Sequence, residues 1–390
     1  MLKPFSPWPH YEADEIDAVR AVLASGKVNY WTGTECREFE REHAVAAGTQ
    51  HAVALANGTM ALELALAAYG IGPGDEVVTT PRTFIATASS AVMRGAKPIF
   101  ADVDRDSQNI TAETIEKVLT SRMRAIIPVH LAGWPCEMDA IMDLARSRNL
   151  IVIEDCAQAS GATYRGRPVG GLAHAGAFSF CQDKIITTGG EGGMLTVSDA
   201  DVWSRSWSFK DHGKSYEAVY NKQHPPGFRW LHESFGTNWR MTEIQAAIGR
   251  LQLRKLPTWS ASRGKNVALL REGLRSLSAL RIPQPPPHVE HANYKFYVFV
   301  EPQALKAGWS RDRIMTEVAA AGVPCFSGSC SEIYLEKAFD LPGYRPAERL
   351  PVARELGETS LMFLVHPTLG VEHMERTVDV VSRVMREAMR

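Results

Sequence analysis

The apolar residues near the beginning of the chain follow a helical spacing. A helix is predicted over residues 12–24, and its apolar face consists of Ile16, Val19, Val22 and Leu23. Such a face becomes buried when the helix packs against a larger body. We therefore expect this first helix to lie across the main domain.

From about residue 57, helical runs alternate with short apolar runs. A helical run over residues 61–69 ends at Gly70, and a glycine-rich turn leads into the first apolar run. The apolar runs have the length of strands that are covered on both faces, and they span 76–80, 98–103, 125–129 and 150–154. This order predicts an α/β domain with a mostly parallel central sheet flanked by helices.

The pattern changes again after residue 240. A helix over 242–253 is followed by a proline-rich stretch, an aromatic strand and two further helices, at 282–287, 294–300, 311–321 and 372–389. We predict a large domain over residues 1–255, which includes the N-terminal segment, and a smaller C-terminal α+β domain over residues 256–390.

Composition and charge limit the classes of function. The 390 residues are 45% hydrophobic, and 43 basic residues against 44 acidic ones give a net charge of -1, so we expect no nucleic-acid partner. No apolar stretch has the length of a signal sequence or a membrane span, and we expect a cytoplasmic protein without a membrane partner. The six cysteines form no C-x-x-C pair, so no metal site is predicted.

Asp155 directly follows the predicted strand over 150–154, at the carboxyl end where open α/β sheets bind ligands. An aspartate in this place can keep the ring nitrogen of a pyridine cofactor protonated. It can equally cap the helix that follows. The residue by itself leaves both interpretations open.

Lys184 lies 29 residues further along (184 minus 155), before the glycine-rich sequence T-T-G-G-E-G-G at 187–193. A free lysine has a pKa of about 10.4 and is almost fully protonated at pH 7, so a nucleophilic lysine needs a site that lowers this value. A site in which the lysine forms a covalent bond with a cofactor aldehyde is one example. Without other signals, a lysine in a loop is a solvated surface group.

Two further features accompany Asp155 and Lys184. The turn Asn57-Gly58-Thr59 opens the helical run and offers N–H groups and a hydroxyl to an anion, although any helix cap does the same. Phe84 lies near the end of a predicted strand and offers a flat ring, which is equally suited to the core.

Several motifs together resemble those of the DegT/DnrJ/StrS family of nucleotide-sugar aminotransferases, and the resemblance extends from about Pro7 to the last helix. The motifs include N-G-T-M-A-L at 57–62, T-F-I-A-T-A at 83–88, E-D-C-A-Q-A-S-G-A at 154–162, F-S-F-x-x-x-K at 178–184 and G-T-N-W-R-M-T-E-I-Q at 236–245. Their order and spacing make the resemblance specific. It implies a fold type I transferase that depends on pyridoxal 5'-phosphate and passes through the pyridoxamine 5'-phosphate form.

The resemblance also implies roles for individual residues. Lys184 corresponds to the lysine that binds the cofactor covalently and then transfers protons, and Asp155 to the partner of the pyridine nitrogen. The other implied cofactor contacts are Gln158 at the phenolic oxygen, Phe84 against the ring, and Gly58, Thr59 and Ser179 at the phosphate.

Asn238 corresponds to a family residue that reaches into the neighbouring subunit's site, which implies a homodimer with shared active sites. The implied substrates are a nucleotide-linked keto-sugar and L-glutamate or L-glutamine. Contacts to the substrate are expected from His130, Lys210, Arg229 and Arg240, of which Lys210 and Arg229 belong to a loop predicted over 207–230. For His130, a hydrogen bond within the domain is an equal alternative.

Other functions remain open at this point. Some family members carry histidine in place of the lysine and dehydrate the sugar, so Lys184 favours transamination. Relatives that act on cyclitols or on precursors of aminobenzoate, and a catalytically silent homologue, are not excluded by the sequence. A dinucleotide-dependent oxidoreductase is disfavoured, because no G-x-G-x-x-G follows an early strand.

Overall fold

The strands follow the apolar runs of the sequence. The computed structural model describes residues 4–390. In chain order the strands are β1 His51–Leu55, β2 Glu76–Thr79, β3 Lys97–Phe100, β4 Met123–Ile127, β5 Ile151–Asp155, β6 Thr163–Tyr164, β7 Arg167–Pro168, β8 Ala175–Ser179, β9 Gly193–Val197, β10 Leu280–Arg281, β11 Val289–Glu290, β12 Phe296–Val300, β13 Cys325–Phe326 and β14 Ser360–Phe363. Strands β2 to β5 overlap the four predicted apolar runs.

Helices cover the sheets and connect the strands. They are α1 Ala13–Ser25, α2 Glu35–Ala47, α3 Gly58–Ala68, α4 Ala86–Met93, α5 Ala112–Glu116, α6 Met138–Arg148, α7 Ala200–Phe209, α8 Tyr216–Tyr220, α9 Glu243–Leu274, α10 Arg311–Ala320, α11 Pro351–Thr359 and α12 Val371–Ala388. Short 3-10 helices span Leu131–Gly133, Pro302–Ala304, Ile333–Leu335 and Lys337–Phe339. No helix within residues 4–390 is both long and apolar enough to cross a bilayer.

The central sheet has seven strands in the order β1-β9-β8-β5-β4-β2-β3. Strands β3, β2, β4, β5 and β8 are parallel, whereas β9 is antiparallel to both of its neighbours, β1 and β8. The chain returns from β8 to β9 through residues 180–192, without a crossover helix, and this return requires an antiparallel pair. Lys184 belongs to that return, at the same edge of the sheet as the carboxyl ends of β5 and β8.

A smaller antiparallel sheet, in the order β10-β12-β14-β13, belongs to the C-terminal part. A separate apolar core, built from residues between Val267 and Ala388, packs beneath it. The structure therefore confirms the predicted architecture of an α/β domain with a mostly parallel sheet and a smaller α+β unit.

Helix α9 passes through position 255/256 without interruption. Beyond it, β11 pairs with β6 of the large unit, and Val289, Ala292 and Tyr294 lie in the first apolar core. The chain thus returns to the large unit before it completes the small one. The boundary between residues 255 and 256 stays a prediction, and the long helix is shared by both units.

The predicted burial of the first helical face is wrong for two residues. Ile16 and Leu23 are 53% and 56% exposed, whereas Val22 is buried. Helix α1 packs on α9 through a polar contact instead, because the buried Glu15 carboxylate accepts a hydrogen bond from the Gln252 side chain at 2.8 Å. The position of the helix therefore follows from a buried hydrogen bond that the apolar spacing does not reveal.

Candidate active site

One large cavity lies where the carboxyl ends of the parallel strands meet the small unit. Its volume is about 1060 Å³, and both Asp155 and Lys184 line it. The large unit further contributes the start of α3, the segment 83–87 and residues near the end of β8. Tyr297 of β12 and residues of β13 and β14 also line it, as do Tyr294 and Lys295, which lie immediately before β12.

Asp155 is the last residue of β5, and its buried carboxylate is held from two sides. The Thr87 hydroxyl donates a hydrogen bond to Oδ2 at 2.8 Å, and the Ala157 N–H donates one to Oδ1 at 3.1 Å. Burial raises the pKa of Asp155, while these two donors and the positive charge of Lys184 oppose that rise. A cationic ring nitrogen placed beside this carboxylate would relieve the cost of burying it.

Thr87 has no role in the sequence prediction, although it lies within the motif T-F-I-A-T-A. The oxygens of Thr83 and Thr87 are 2.9 Å apart, and Thr87 uses its only hydrogen on Asp155, so Thr83 is the donor between them. In the sequence, the spacing of four residues between Thr83 and Thr87 was the signal that could have indicated this pair of hydroxyl groups. The chain of hydroxyl groups ends on the carboxylate and orients it towards the cavity.

The start of α3 is shaped to receive an anion. Asn57 caps the helix by accepting a hydrogen bond from the Met60 N–H at 3.0 Å, and Gly58 and Thr59 line the cavity. A Cβ atom on Gly58 would lie 2.6 Å from the Cβ of Ser179. Only glycine therefore permits the helix start to lie this close to the end of β8.

Phe84 and Gln158 line the same cavity. Phe84 is 68% exposed, which is unusual for a phenylalanine in the interior of a domain and leaves its ring free for a ligand. The Gln158 side chain is held by a hydrogen bond of 2.8 Å from the Ala132 N–H to its Oε1. Ala132 has a positive φ of 57°, so this bond stabilises a turn that alanine rarely adopts.

Lys184 is fixed through its backbone rather than through its side chain. Its N–H donates to the Cys181 carbonyl at 3.1 Å, and its carbonyl accepts from the indole N–H of Trp8 at 2.8 Å. Trp8 contacts Trp259 and stacks on His366, so the N-terminal segment connects α9 and the small unit to the lysine loop. Trp8 was not predicted, and the sequence around it carries no recognisable signal.

Tyr294 and Lys295 bring the small unit to the lysine loop. The Tyr294 hydroxyl donates a hydrogen bond to Asp183, the residue before Lys184, and the Lys184 ammonium lies 5.3 Å from the centroid of the Tyr294 ring. Neither residue was predicted to belong to the site. In the sequence, the signal that could have indicated them was a lysine, Lys295, within the otherwise apolar and aromatic run 294–300.

His130 lies in the domain interior, in agreement with the second of its two interpretations. Its Nδ1 accepts a hydrogen bond from the Cys136 N–H at 3.0 Å, so its hydrogen is on Nε2, which donates to Glu154 at 3.0 Å. Glu154, His130 and Cys156 are close enough together to hold a metal ion. The bonds already made by His130 and Glu154 account for this cluster within the fold.

The placement of Lys210 corrects the expectation that it contacts the substrate. Its side chain is fully buried, its ammonium bonds to Glu40 at 2.9 Å, and it lies 3.8 Å from the centroid of the Tyr30 ring. The segment 207–230 is also only partly a loop, since α7 extends to Phe209 and α8 lies within it. A lysine sequestered in this way stabilises the fold and is not available to a substrate.

Arg229, Asn238 and Arg240 do not line the cavity within the described part of the chain. Arg229 and Asn238 are exposed. Phe228, Trp230 and Phe235, which are close to them in sequence, are exposed as well. Arg240 bonds to Asp211 at 2.7 Å. The roles of these three residues in binding stay predictions.

The chain is similar to known aminotransferases over nearly its whole length. Residues 9–382 match the DegT/DnrJ/EryC1/StrS aminotransferase family. A solved structure, that of the aminotransferase from Psychrobacter cryohalolentis, is 56% identical, with a TM-score of 0.97 over 98% of this chain and 99% of that one.

Two curated relatives carry more specific names. GDP-perosamine synthase of Caulobacter vibrioides is 36% identical, and the match covers 97% of this chain and 97% of that protein. The dTDP-3-amino-3,4,6-trideoxy-alpha-D-glucose transaminase of Streptomyces venezuelae is 33% identical, with coverage of 93% and 90%.

Enzymes of this family depend on pyridoxal 5'-phosphate, and the residues present fit that cofactor. Asp155 offers a buried carboxylate for the ring nitrogen, and Lys184 offers an amine for the cofactor aldehyde. Gly58 lies so close to Ser179 that an additional Cβ would fill the space between them, which leaves a cradle for the phosphate. The predicted family and cofactor are thereby confirmed. The chain belongs to the DegT/DnrJ/EryC1/StrS aminotransferase family and has the fold type I architecture of pyridoxal phosphate enzymes.

Proposed function

We propose that this aminotransferase transfers an amino group to a nucleotide-linked keto-sugar, with L-glutamate or L-glutamine as the donor, in the synthesis of amino sugars for surface polysaccharides or natural products. The observation that carries the proposal is the joint lining of one cavity of about 1060 Å³ by Lys184, Asp155 and the start of α3. The names of the two curated relatives, which contain GDP and dTDP, support a nucleotide-linked sugar and leave the base open.

The placement of the residues in the cavity supports the roles proposed for them. Pyridoxal 5'-phosphate, when bound, supplies an electron sink for negative charge that develops at the carbon next to the amino nitrogen. The Asp155 carboxylate would hold the proton on the pyridine nitrogen, because a negative charge beside that nitrogen favours its protonated form. The Lys184 amine would hold the cofactor and would then be placed to move a proton at the α-carbon of the donor.

The remaining residues bind and orient the cofactor. The N–H groups at the start of α3, with the hydroxyls of Thr59 and Ser179, hold the phosphate without needing protons of their own. Phe84 would pack against one face of the ring, and Gln158 would lie beside the phenolic oxygen; both side chains line the cavity. This arrangement fixes the reacting carbon relative to Lys184.

We also propose that two copies of the chain form a dimer with shared active sites. Asn238 and Arg229 are exposed and do not line the chain's own cavity, and three large exposed aromatic side chains lie close to them in sequence. Contiguous exposed apolar groups are typical of an interface. In a two-fold dimer this segment would extend to the partner's cavity, where Asn238 contacts the cofactor and Arg229 the substrate.

The proposed reaction is tested with the purified holoenzyme and nucleotide-linked keto-sugars. We expect an absorbance band near the visible edge that reduction abolishes, and an aminated product detected by mass spectrometry with L-glutamate as donor. Lys184→Ala should lose both, whereas Lys265→Ala, at an exposed position of α9, should keep both. Amination of a free cyclitol ketone but of no nucleotide-linked sugar would contradict the proposed substrate class.

The shared site is tested by mixing two inactive variants. A dimer of one Lys184→Ala subunit and one Asn238→Ala subunit contains one site with both native residues if Asn238 acts across the interface. Activity should therefore return on mixing, to about one native site per hybrid dimer. If Asn238 acts within its own subunit, no site is native and mixing restores nothing.

A further inference from the structure

The small unit places a second lysine at the active cavity. Lys295 lies immediately before β12 and lines the main cavity together with Lys184. It also lines a neighbouring cavity of about 280 Å³, which is further bounded by the proline-rich stretch 283–287, by residues of the small unit and by residues of the large unit such as Gln108 and Trp134. Lys295 therefore lies where the two spaces adjoin.

The Lys295 ammonium has no directly paired counterion within residues 4–390, and Asp183 acts on it only at longer range. It lies 4.7 Å from the centroid of the Tyr294 ring and forms neither a hydrogen bond nor an ion pair with a described residue. Burial lowers its pKa to about 8, and Arg263 and Lys184 add to this effect, which Asp183 only partly opposes. A partly buried cation without a partner costs free energy that a bound anion would offset.

The surroundings of Lys295 carry further positive charge. Arg263 is buried, it bonds only to the carbonyl groups of Asn293 and Tyr294, and its Nε and Nη2 atoms have no partner. His366 stays neutral at physiological pH, because burial and the nearby cations lower its pKa to about 3. With Lys184 bonded to the cofactor, Lys295 would be the other lysine that lines this cavity.

Lys295 is held in place by its neighbour in the sequence. The Tyr294 hydroxyl donates to Asp183, which directly precedes Lys184, so the small unit is tied to the lysine loop one residue away from each lysine. The two ammonium groups lie 5.3 and 4.7 Å from the centroid of the same Tyr294 ring. A group bound by Lys295 is thereby positioned relative to the reacting amine.

We propose that Lys295 is a substrate-binding residue whose ammonium binds an anionic group, either a carboxylate of the amino donor or a phosphate of the nucleotide. The proposal rests on the proposed function for its choice of these two anions. Both substrates of the reaction carry such groups, and an ammonium binds carboxylate and phosphate alike as a point charge. Only one of the two need be bound by Lys295.

The experiment measures equilibrium binding to the holoenzyme by calorimetry, with 2-oxoglutarate as one probe and UDP, GDP and dTDP as the others. Lys295→Met removes the charge and keeps the length of the side chain, Lys295→Arg keeps the charge, and Lys265→Met on the exposed face of α9 is the matched control. We expect Lys295→Met to weaken one class of probe about tenfold or more, as for the loss of a charge-assisted hydrogen bond. Lys295→Arg should stay within about threefold of wild type, and Lys265→Met should not differ from it.

The two arms identify the anion. Weaker binding of 2-oxoglutarate assigns Lys295 to the donor carboxylate, and weaker binding of the diphosphates assigns it to the nucleotide. The proposal is overturned if Lys295→Met binds all four probes as wild type does, or if Lys295→Arg loses as much affinity as Lys295→Met, which would indicate a packing effect. An enzyme that aminates no nucleotide-linked sugar would refute the proposed function. The 2-oxoglutarate measurement would even then show whether Lys295 binds the donor carboxylate.

Discussion

At the scale of single residues, the buried carboxylate of Asp155 depends on donors that lie far from it in sequence. Thr87 is 68 positions away, and its hydroxyl contacts Oδ2 at 2.8 Å. A carboxylate that accepts hydrogen bonds keeps its charge more easily, so Thr87 and the Ala157 N–H counteract the effect of burial on the pKa. Thr87 thus acts on the cofactor site through Asp155 and is a positioning residue.

Thr87→Val should raise the pKa of Asp155 further above its ordinary value. Loss of a hydrogen bond to a charged group is worth about 1.5–3 kcal/mol, or roughly one to two pKa units. The acid limb of the pH profile of kcat should therefore move to higher pH by about that amount. The destabilisation of the fold should shrink as the pH falls, because a protonated carboxyl group needs the donor less.

The pH profile and thermal unfolding at pH 7 and pH 4 check this prediction. Ser90→Ala is the matched control, since it removes a buried hydroxyl from the same helix that bonds only to the Thr87 carbonyl at 3.1 Å. Identical acid limbs for Thr87→Val and Ser90→Ala would refute the role assigned to Thr87.

His43 gives a second prediction at this scale, which concerns stability. Burial lowers its pKa to about 4, below the ordinary 6.5, and its Nδ1 has no hydrogen-bond partner. The unfolded state therefore binds the proton first as the pH falls from about 6.5 to 4, and stability is lost across that window at up to about 1.4 kcal/mol per pH unit. His43→Phe should remove this loss, whereas His10→Phe, at an exposed position, should not.

Urea unfolding at pH 7.5 and pH 5 measures the effect. Wild type should lose about 2 kcal/mol more between these two conditions than His43→Phe does. The new ring would lie among Phe39, Phe178 and Phe180, which already surround the imidazole. Equal losses in both proteins would show that His43 is not the group that titrates.

At the scale of elements, the start of α3 and the end of β8 form the proposed phosphate cradle by their close approach. Local sequence accounts for the helix start, because Asn57 caps it and Gly58 begins it. The approach to Ser179, in contrast, belongs to two elements separated by more than a hundred residues. Glycine at position 58 is therefore required by packing between elements as well as by the turn.

Gly58→Ala should displace the helix start and weaken cofactor binding. The added Cβ would lie 2.6 Å from the Ser179 Cβ, and relief of such an overlap typically costs about 1–3 kcal/mol. We expect a fall of about tenfold or more in affinity for pyridoxal 5'-phosphate, measured by absorbance titration of the apoprotein. Gly264→Ala is the control, because the nearest atom to its new Cβ is 4.0 Å away and alanine favours a helix. Equal affinity in both variants would contradict the cradle.

At the scale of the whole molecule, the three most exposed aromatic side chains of residues 4–390 lie in one segment that precedes Asn238. Phe235 is 99% exposed, Trp230 80% and Phe228 75%. Aromatic side chains at this exposure are costly in water and are typical of surfaces that a partner covers. A second copy of the chain is the partner proposed above.

Phe235→Ser should weaken the dimer. Burial of a phenylalanine side chain contributes about 1.5–3 kcal/mol, and a two-fold interface contains each residue twice. Light scattering over a range of concentrations should show dissociation at concentrations at least about a hundredfold higher than for wild type. Val371→Ser removes a 53% exposed side chain from the small unit and should leave association unchanged. Unchanged association of Phe235→Ser would place the interface elsewhere.

The sequence by itself determined the elements, the fold class, the family and the residues at the ends of β5 and β8. These features depend on local spacing and on motifs, and Asp155, Lys184 and the turn at Gly58 are each recognisable within a few residues of chain. The predicted ends of β2 to β5 differ from the observed ones by no more than three residues for the same reason.

Only the tertiary structure decided which side chains meet and which become buried. The sequence predicted a substrate contact for Lys210 and left two interpretations open for His130, whereas in the structure Glu40 and Glu154 bind them in the interior. Tyr294 and Lys295 reach the Lys184 loop from a strand more than a hundred residues away. The burial of a side chain and the identity of its hydrogen-bond or ion-pair partner are set by the elements that pack around it. Those elements are distant in sequence, so the residues next to it in the chain do not reveal either property.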